Sequence, residues 1–122
     1  MASSELSIEV IKWSMGLQQA RTHIATQNIA TANVAGARFG KLNSMSALQN
    51  AQLAFGQSSS AESFRSSVFN QPLQSLTSYD EAKTVALDEQ VADMTSAELK
   101  YRILAETMTR QLSLLSLAAS GR

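Results

Sequence analysis

From Val85 to Ala119 the chain carries a row of residues spaced as only a helix can present them: Leu87, Val91, Met94, Glu98, Tyr101, Ala105, Met108, Leu112, Leu115 and Ala119. The steps alternate four and three, an average of about 3.5 residues per turn, which is the coiled-coil period and not the strand period. Only Glu98 in that row is polar. A helix of this length with one apolar edge is not stable alone in water, so the rest of the chain, or another chain, must cover that edge.

The N-terminal stretch supplies a second row. Between Ser4 and Asn33, the residues Leu6, Val10, Trp13, Leu17, Ala20, Ile24, Gln27 and Thr31 step again by four and three, and the row turns polar at its end. Ser3 or Ser4 is placed to cap the start, with Glu5 in the first turn where the helix dipole favours an anion. Gly16 interrupts the pattern; it either admits a close helix neighbour or is a tolerated defect of about 1 kcal/mol relative to Ala. A helix of about 30 residues is a rod of about 45 Å, longer than a small globule needs. Two such rods at the ends of one short chain predict an all-α fold in which they pair as a coiled-coil-like antiparallel hairpin.

The chain therefore divides into residues 1–36, an N-terminal helix and turn, residues 37–84, a loop-rich and partly irregular middle, and residues 85–122, the C-terminal helix. Asn28, Asn33, Gly36 and Gly40 cluster where the first helix should stop, since Asn and Gly accept left-handed backbone angles. In the middle, Leu42, Met45, Leu48 and Leu53 suggest one short helix, and residues 56–61 read as linker. Phe64, Val68, Phe69, Leu73, Leu76 and Tyr79 are scattered among polar residues around the single proline, Pro72, which fits short extended pieces or disorder. In the last helix Asp88, Glu89 and Asp93 come early and Lys100, Arg102, Arg110 and Arg122 late, as the dipole favours. Leu104, Leu114 and Leu117 widen its apolar surface beyond one seam and point to multi-subunit packing.

Composition narrows the function. Ten acidic and ten basic residues cancel, which leaves no global field to attract nucleic acid or a membrane surface. The chain has no Cys, hence neither disulfides nor thiolate metal sites. Residues 1–21 do not read as a signal peptide, because Lys12 is their first basic residue and Glu5 and Glu9 break any apolar core. No run approaches the about 18 apolar residues of a membrane span, so direct membrane insertion is not expected.

A search for chemistry finds no catalytic, cofactor or metal constellation. His23 is the single histidine and has no carboxylate within four residues, which reads as a surface or interface residue. Asp88, Glu89 and Asp93 read as dipole-complementing charge, not ligands. Gly36 and Gly40 lack the Lys-Ser or Lys-Thr of a phosphate loop. The serines have no neighbouring base and read as linker composition. Arg38 and Lys41 are too few for a nucleic-acid footprint. Trp13 and Tyr101 fall on the two heptad rows and read as packing aromatics.

Two stretches carry a resemblance. Residues 21–36, RTHIATQNIATANVAG, resemble the N-terminal signature of the flagellar rod and hook axial protein family, which runs approximately N-I-A-N-A-x-T-P-G-Y. Asn28, Ile29, Ala30, Asn33 and Gly36 align with it; Thr31 replaces the middle Asn, Ala35 the Pro, and Ala37 the Tyr. Residues 85–90, VALDEQ, resemble the V-x-L-D-x-E opening of the last helix in FlgB-type proximal rod proteins, and Leu99-Lys100-Tyr101 resembles their L-R-Y. The Asn that usually precedes this L-R-Y is missing, and Ala97 and Glu98 stand in its neighbourhood. FlgC-type proteins tend to carry Tyr followed closely by Asn, whereas Tyr101 is followed by Arg102-Ile103-Leu104.

The resemblance implies a non-enzymatic structural subunit without cofactors. It implies export by the flagellar type III apparatus without a cleaved signal, and helical self-assembly into the periplasm-spanning rod of the basal body. That rod transmits torque and forms part of the export channel. Implied partners are the rod subunits FlgC and FlgF, the adaptor FliE, the MS ring and further copies of the chain itself, with no nucleic acid. The residues expected at subunit interfaces are Leu6, Val10, Trp13, Leu17 and Ile24 at one end and Val91, Met94, Tyr101, Met108, Leu112 and Leu115 at the other. Asn28, Asn33 and Gly36 are expected to shape the turn. The alternatives are another axial or type III secretion subunit, or a small cytoplasmic helical adaptor or chaperone.

Overall fold

The computed structural model describes residues 2–34, 38–70, 72–80 and 87–121. Two long helices frame it, α1 (Ala2–Ala30) and α4 (Leu87–Ala119). Between them, in chain order, come β1 (Phe39–Leu42), α2 (Ser44–Gln57), α3 (Ala61–Phe69), a 3-10 turn (Leu73–Leu76) and β2 (Thr77–Asp80). With 29 and 33 residues, the long helices are about 44 and 50 Å in length. They pack on each other and run antiparallel: Thr26 meets Met94, and Asn28 meets Gln90, at the end where α1 finishes and α4 begins. The all-α hairpin expected from the two rows is thus present.

The seam differs in detail from the rows. On α4 the least exposed positions are Gln90, Met94, Ala97, Tyr101, Leu104, Met108, Gln111 and Leu115, with Ser96 and Ala105 beside them. Met94, Tyr101, Met108 and Leu115 were expected there. The alternate positions are displaced by one residue: Gln90, Ala97, Leu104 and Gln111 take the places expected for Val91, Glu98, Ala105 and Leu112. Val91 and Leu112 are 47% and 51% exposed, Glu98 is exposed, and Ala97 is wholly buried at 0%. The cause is geometric. A residue as small as Ala97 lets two helix backbones approach, and an amide at Gln90 is stabilised on the seam by the partner amide of Asn28. Apolar character alone selects Val91 and Glu98's heptad register instead.

α1 is covered on two sides. Leu6, Val10 and Trp13 pack with Ala54, Phe64 and Val68 of α2 and α3. A second row, Ile8, Ile11, Met15, Gln18, Thr22, Ala25 and Ile29, repeats by three and four on another face and is half-buried or buried throughout. That row lies on the side of Thr26, where α4 packs. Buried Gln18 is satisfied by the Arg21 guanidinium, which donates at 2.9 Å.

The ends of α1 also differ from expectation. The helix begins at Ala2, so Ser3 and Ser4 lie inside its first turn instead of ahead of it. At its other end the backbone tightens through Thr31 N–H to Gln27 O, Ala32 N–H to Ile29 O and Val34 N–H to Thr31 O. No described residue other than glycine has a positive φ, so Asn33 does not form a left-handed stop. Gly36 lies outside the described residues, as do Val85 and Ala86. A Cβ at Gly16 would meet nothing within 4 Å, which settles that glycine as a tolerated defect.

The middle is more regular than its composition suggests. The Asn43 side chain caps α2 by accepting from Ser46 N–H at 3.1 Å, and Ser60 caps α3 by accepting from Ser63 N–H at 3.2 Å. α2 turns Ala47, Ala51 and Ala54 inward and leaves Met45, Leu48, Leu53 and Phe55 exposed. α3 buries Phe64 to 1% exposure. β1 and β2 pair antiparallel with Gly40 opposite Tyr79 and Lys41 opposite Ser78. This two-stranded sheet closes the middle segment on itself and lays Gly40 against the end of α1.

Candidate assembly surface

Asn28 joins three elements at the end of the hairpin where both family-like stretches converge. It sits two residues inside α1 and is 3% exposed. Its Oδ1 accepts from Gly40 N–H at 2.9 Å, and its Nδ2 donates to Gly40 O at 2.9 Å and to Gln90 Oε1 at 3.0 Å. The amide thus pairs with both polar groups of one β1 residue, much as a neighbouring strand would, and uses its remaining donor on α4. Gly40 must approach closely for this. A Cβ there would lie 3.0 Å from Tyr79 Cε1 and 3.2 Å from Ile24 Cγ2. Asn28 is therefore a clamp between α1, β1 and α4 and not part of the turn, whereas Asn33 stands exposed in the turn.

A second tie fixes α3 to α1. Arg65 donates to Glu9 Oε1 at 2.7 Å, and Lys12 approaches the same oxygen at 3.4 Å. The Arg65 hydrogen bond, with help from Lys12 and against the effect of burial, holds the Glu9 carboxyl below its ordinary value of 4.5.

The remaining expected interface residues divide by exposure. Leu6 and Leu17 are buried within the chain, and Val10, Trp13, Ile24, Met94, Tyr101, Met108 and Leu115 are half-buried in its own packing. Only Val91 and Leu112 of that set are exposed. The apolar surface free to meet another molecule lies elsewhere as well: Leu99, Ile103, Leu114 and Leu117 on α4, Met45, Leu53 and Phe55 on α2, and Phe69 at the end of α3. Exposed apolar residues, where they form a contiguous patch, are candidates for contact with another molecule. Leu114 and Leu117 were legible as excess leucine. Ile103 was passed over because it falls between the chosen heptad positions.

Cavities among the described residues accompany these surfaces. One of about 320 Å³ lies between Trp13, the inward alanines of α2 and Val68, Leu73 and Leu76. A wider cleft of about 670 Å³ lies between α1 and α4, lined by Thr22, His23, Thr26, Glu98, Tyr101 and Arg102. Glu98 and His23 are both solvent-facing there. Among the described residues no group of His, Asp and Glu is placed to hold a metal ion, and no helix is long and apolar enough to cross a membrane. No family model, curated protein or solved structure matches the chain.

Proposed function

We propose that the chain is a non-enzymatic structural subunit of the bacterial flagellar rod, similar to the proximal FlgB type. In this reading it is exported by the type III apparatus and assembles helically beside FlgC- and FlgF-like subunits, the adaptor FliE and the MS ring. The observation that carries the reading is the meeting of the two family-like stretches. They stand about 60 residues apart in the chain, yet Asn28 of the first donates to Gln90 of the second. Asn28, which matches the first pattern, and Gln90, which stands where the second has Glu, tie the antiparallel helix pair together at one end.

The exposed apolar residues of α2 and α4 supply the contacts between subunits. Their burial contributes roughly 25 cal/mol per Å² removed from water. Contacts between unlike patches do not close on themselves and so propagate a helical tube. Leu112 is the sharpest probe, because it is exposed on the isolated chain and bears little on its fold. The Leu112→Asp variant should accumulate to normal levels with unchanged helicity, yet fail to enter the rod and leave cells non-motile. Normal swimming of cells that carry only this variant contradicts the reading.

A further inference from the structure

The face of α4 turned away from α1 carries its own row: Leu99, Ile103, Glu106, Arg110, Leu114 and Leu117, with steps of four, three, four, four and three. All six are exposed, and the four apolar ones are each more than half exposed. On a helix that turns every 3.6 residues these positions share one side, opposite Met94, Tyr101, Met108 and Leu115. Among the described residues neither Glu106 nor Arg110 has an ion-pair partner.

The row is symmetric about its own middle. Leu99 and Leu117 lie at its ends, Ile103 and Leu114 inside them, and Glu106 and Arg110 at the centre. Each pair is centred on position 108, within half a residue. A second copy of α4 laid antiparallel on this face therefore brings Leu99 level with the partner's Leu117, Ile103 with the partner's Leu114, and Glu106 with the partner's Arg110. Every layer then occurs twice, as a two-fold axis demands. Flanking charges raise no objection in this register, since Lys100 comes level with Ser116 and Arg102 with Leu114. A parallel arrangement in register would instead stack Glu106 on Glu106 and Arg110 on Arg110, which is repulsive.

We infer that α4 forms an antiparallel homodimer through this row, with two Glu106–Arg110 pairs selecting the direction and register. Apolar layers at both ends supply the attraction, and the charged centre supplies the selectivity. A two-fold contact is closed, so it stops at two copies and cannot itself extend a filament. The dimer is thus the form of the chain outside an assembly, and it covers the α4 leucines until other partners replace the second copy. The inference rests on α4 alone and does not depend on the flagellar reading.

Charge exchange in the full-length chain tests it, read by sedimentation velocity across a concentration series with circular dichroism to verify folding. The Glu106→Arg and Arg110→Glu variants should each dissociate at roughly tenfold higher concentration than the parent chain, because each places like charges level across the axis. The double variant Glu106→Arg/Arg110→Glu should return to within about threefold of the parent. Because the chain lacks Cys, oxidation of a mixture of Ile103→Cys and Leu114→Cys chains provides a second readout. The mixed 103–114 crosslink should dominate. A chain that is monomeric up to high micromolar concentration, a double variant as weak as the single ones, or dominant 103–103 and 114–114 crosslinks would each overturn the dimer. A monomer that still enters basal bodies sinks this inference and leaves the rod reading intact.

Discussion

Individual side chains decide how the ends of this fold are held. Asn28 satisfies the donor and acceptor of Gly40 and one acceptor of Gln90, all with a side chain that is nearly inaccessible to water. Asn28→Ala removes all three bonds and leaves the Gly40 groups without that partner. A loss of about 2–3 kcal/mol in urea unfolding is expected, against a change within about 0.5 kcal/mol for Asn33→Ala in the exposed turn. Glu9 gives a pH signature of the α1–α3 contact. Its folded carboxyl lies below the ordinary value of 4.5 because Arg65, and then Lys12, favour the charged form. The stabilisation is therefore present above that value and lost as the pH falls through the lower folded one. Thermal melts should show the parent slightly more stable than Glu9→Gln at neutral pH, with the gap closing in acid. A gap that persists unchanged well below 4.5 would contradict the pairing.

At the scale of helices and strands, the two long helices and the short α2 were legible, and α3 was not. Periodicity located α1 and α4 because each runs for eight turns or more, so its pattern repeats many times. It picked out one apolar side of α1, where Leu6, Val10 and Trp13 pack with α2 and α3, and passed over the other, which carries Ile11, Met15 and Ala25. It slipped by one residue at alternate positions of α4 because Ala97 and Gln90 owe their places to close approach and amide pairing, and neither is written in apolar character. α3 was hidden by its serines; Ser60 is a cap, and only Phe64 and Val68 mark the inward face. The clamp was half visible. Asn28 and Gly40 stood out as turn residues, but that they bond each other across twelve positions depends on strand pairing that no local pattern records. Gly16 offers a direct check on helix α1. Because a Cβ there meets nothing within 4 Å, Gly16→Ala should raise stability by about 0.5–1 kcal/mol, measured by urea unfolding. A loss of stability would mean that the glycine is needed for contact.

The whole molecule is a pair of rods about 44–50 Å long with a small α2–α3 unit against one side of α1. Its own packing absorbs the N-terminal row and half of the C-terminal one. What remains outside, Leu99, Leu112, Leu114 and Leu117 on α4 together with Met45, Leu53 and Phe55 on α2, is a large apolar surface for a chain of 122 residues. That surplus is the surface on which the proposed rod contacts and the inferred α4 dimer both draw. The two associations are separable, since Leu112 lies outside the row centred on Glu106 and Arg110. The most direct test is the fate of the full-length tagged chain when basal bodies are purified from detergent-lysed swimming cells that express it. The account predicts that the chain co-purifies with the rod fraction and that the Leu112→Asp form does not; recovery of the unaltered chain only in the soluble fraction would contradict it.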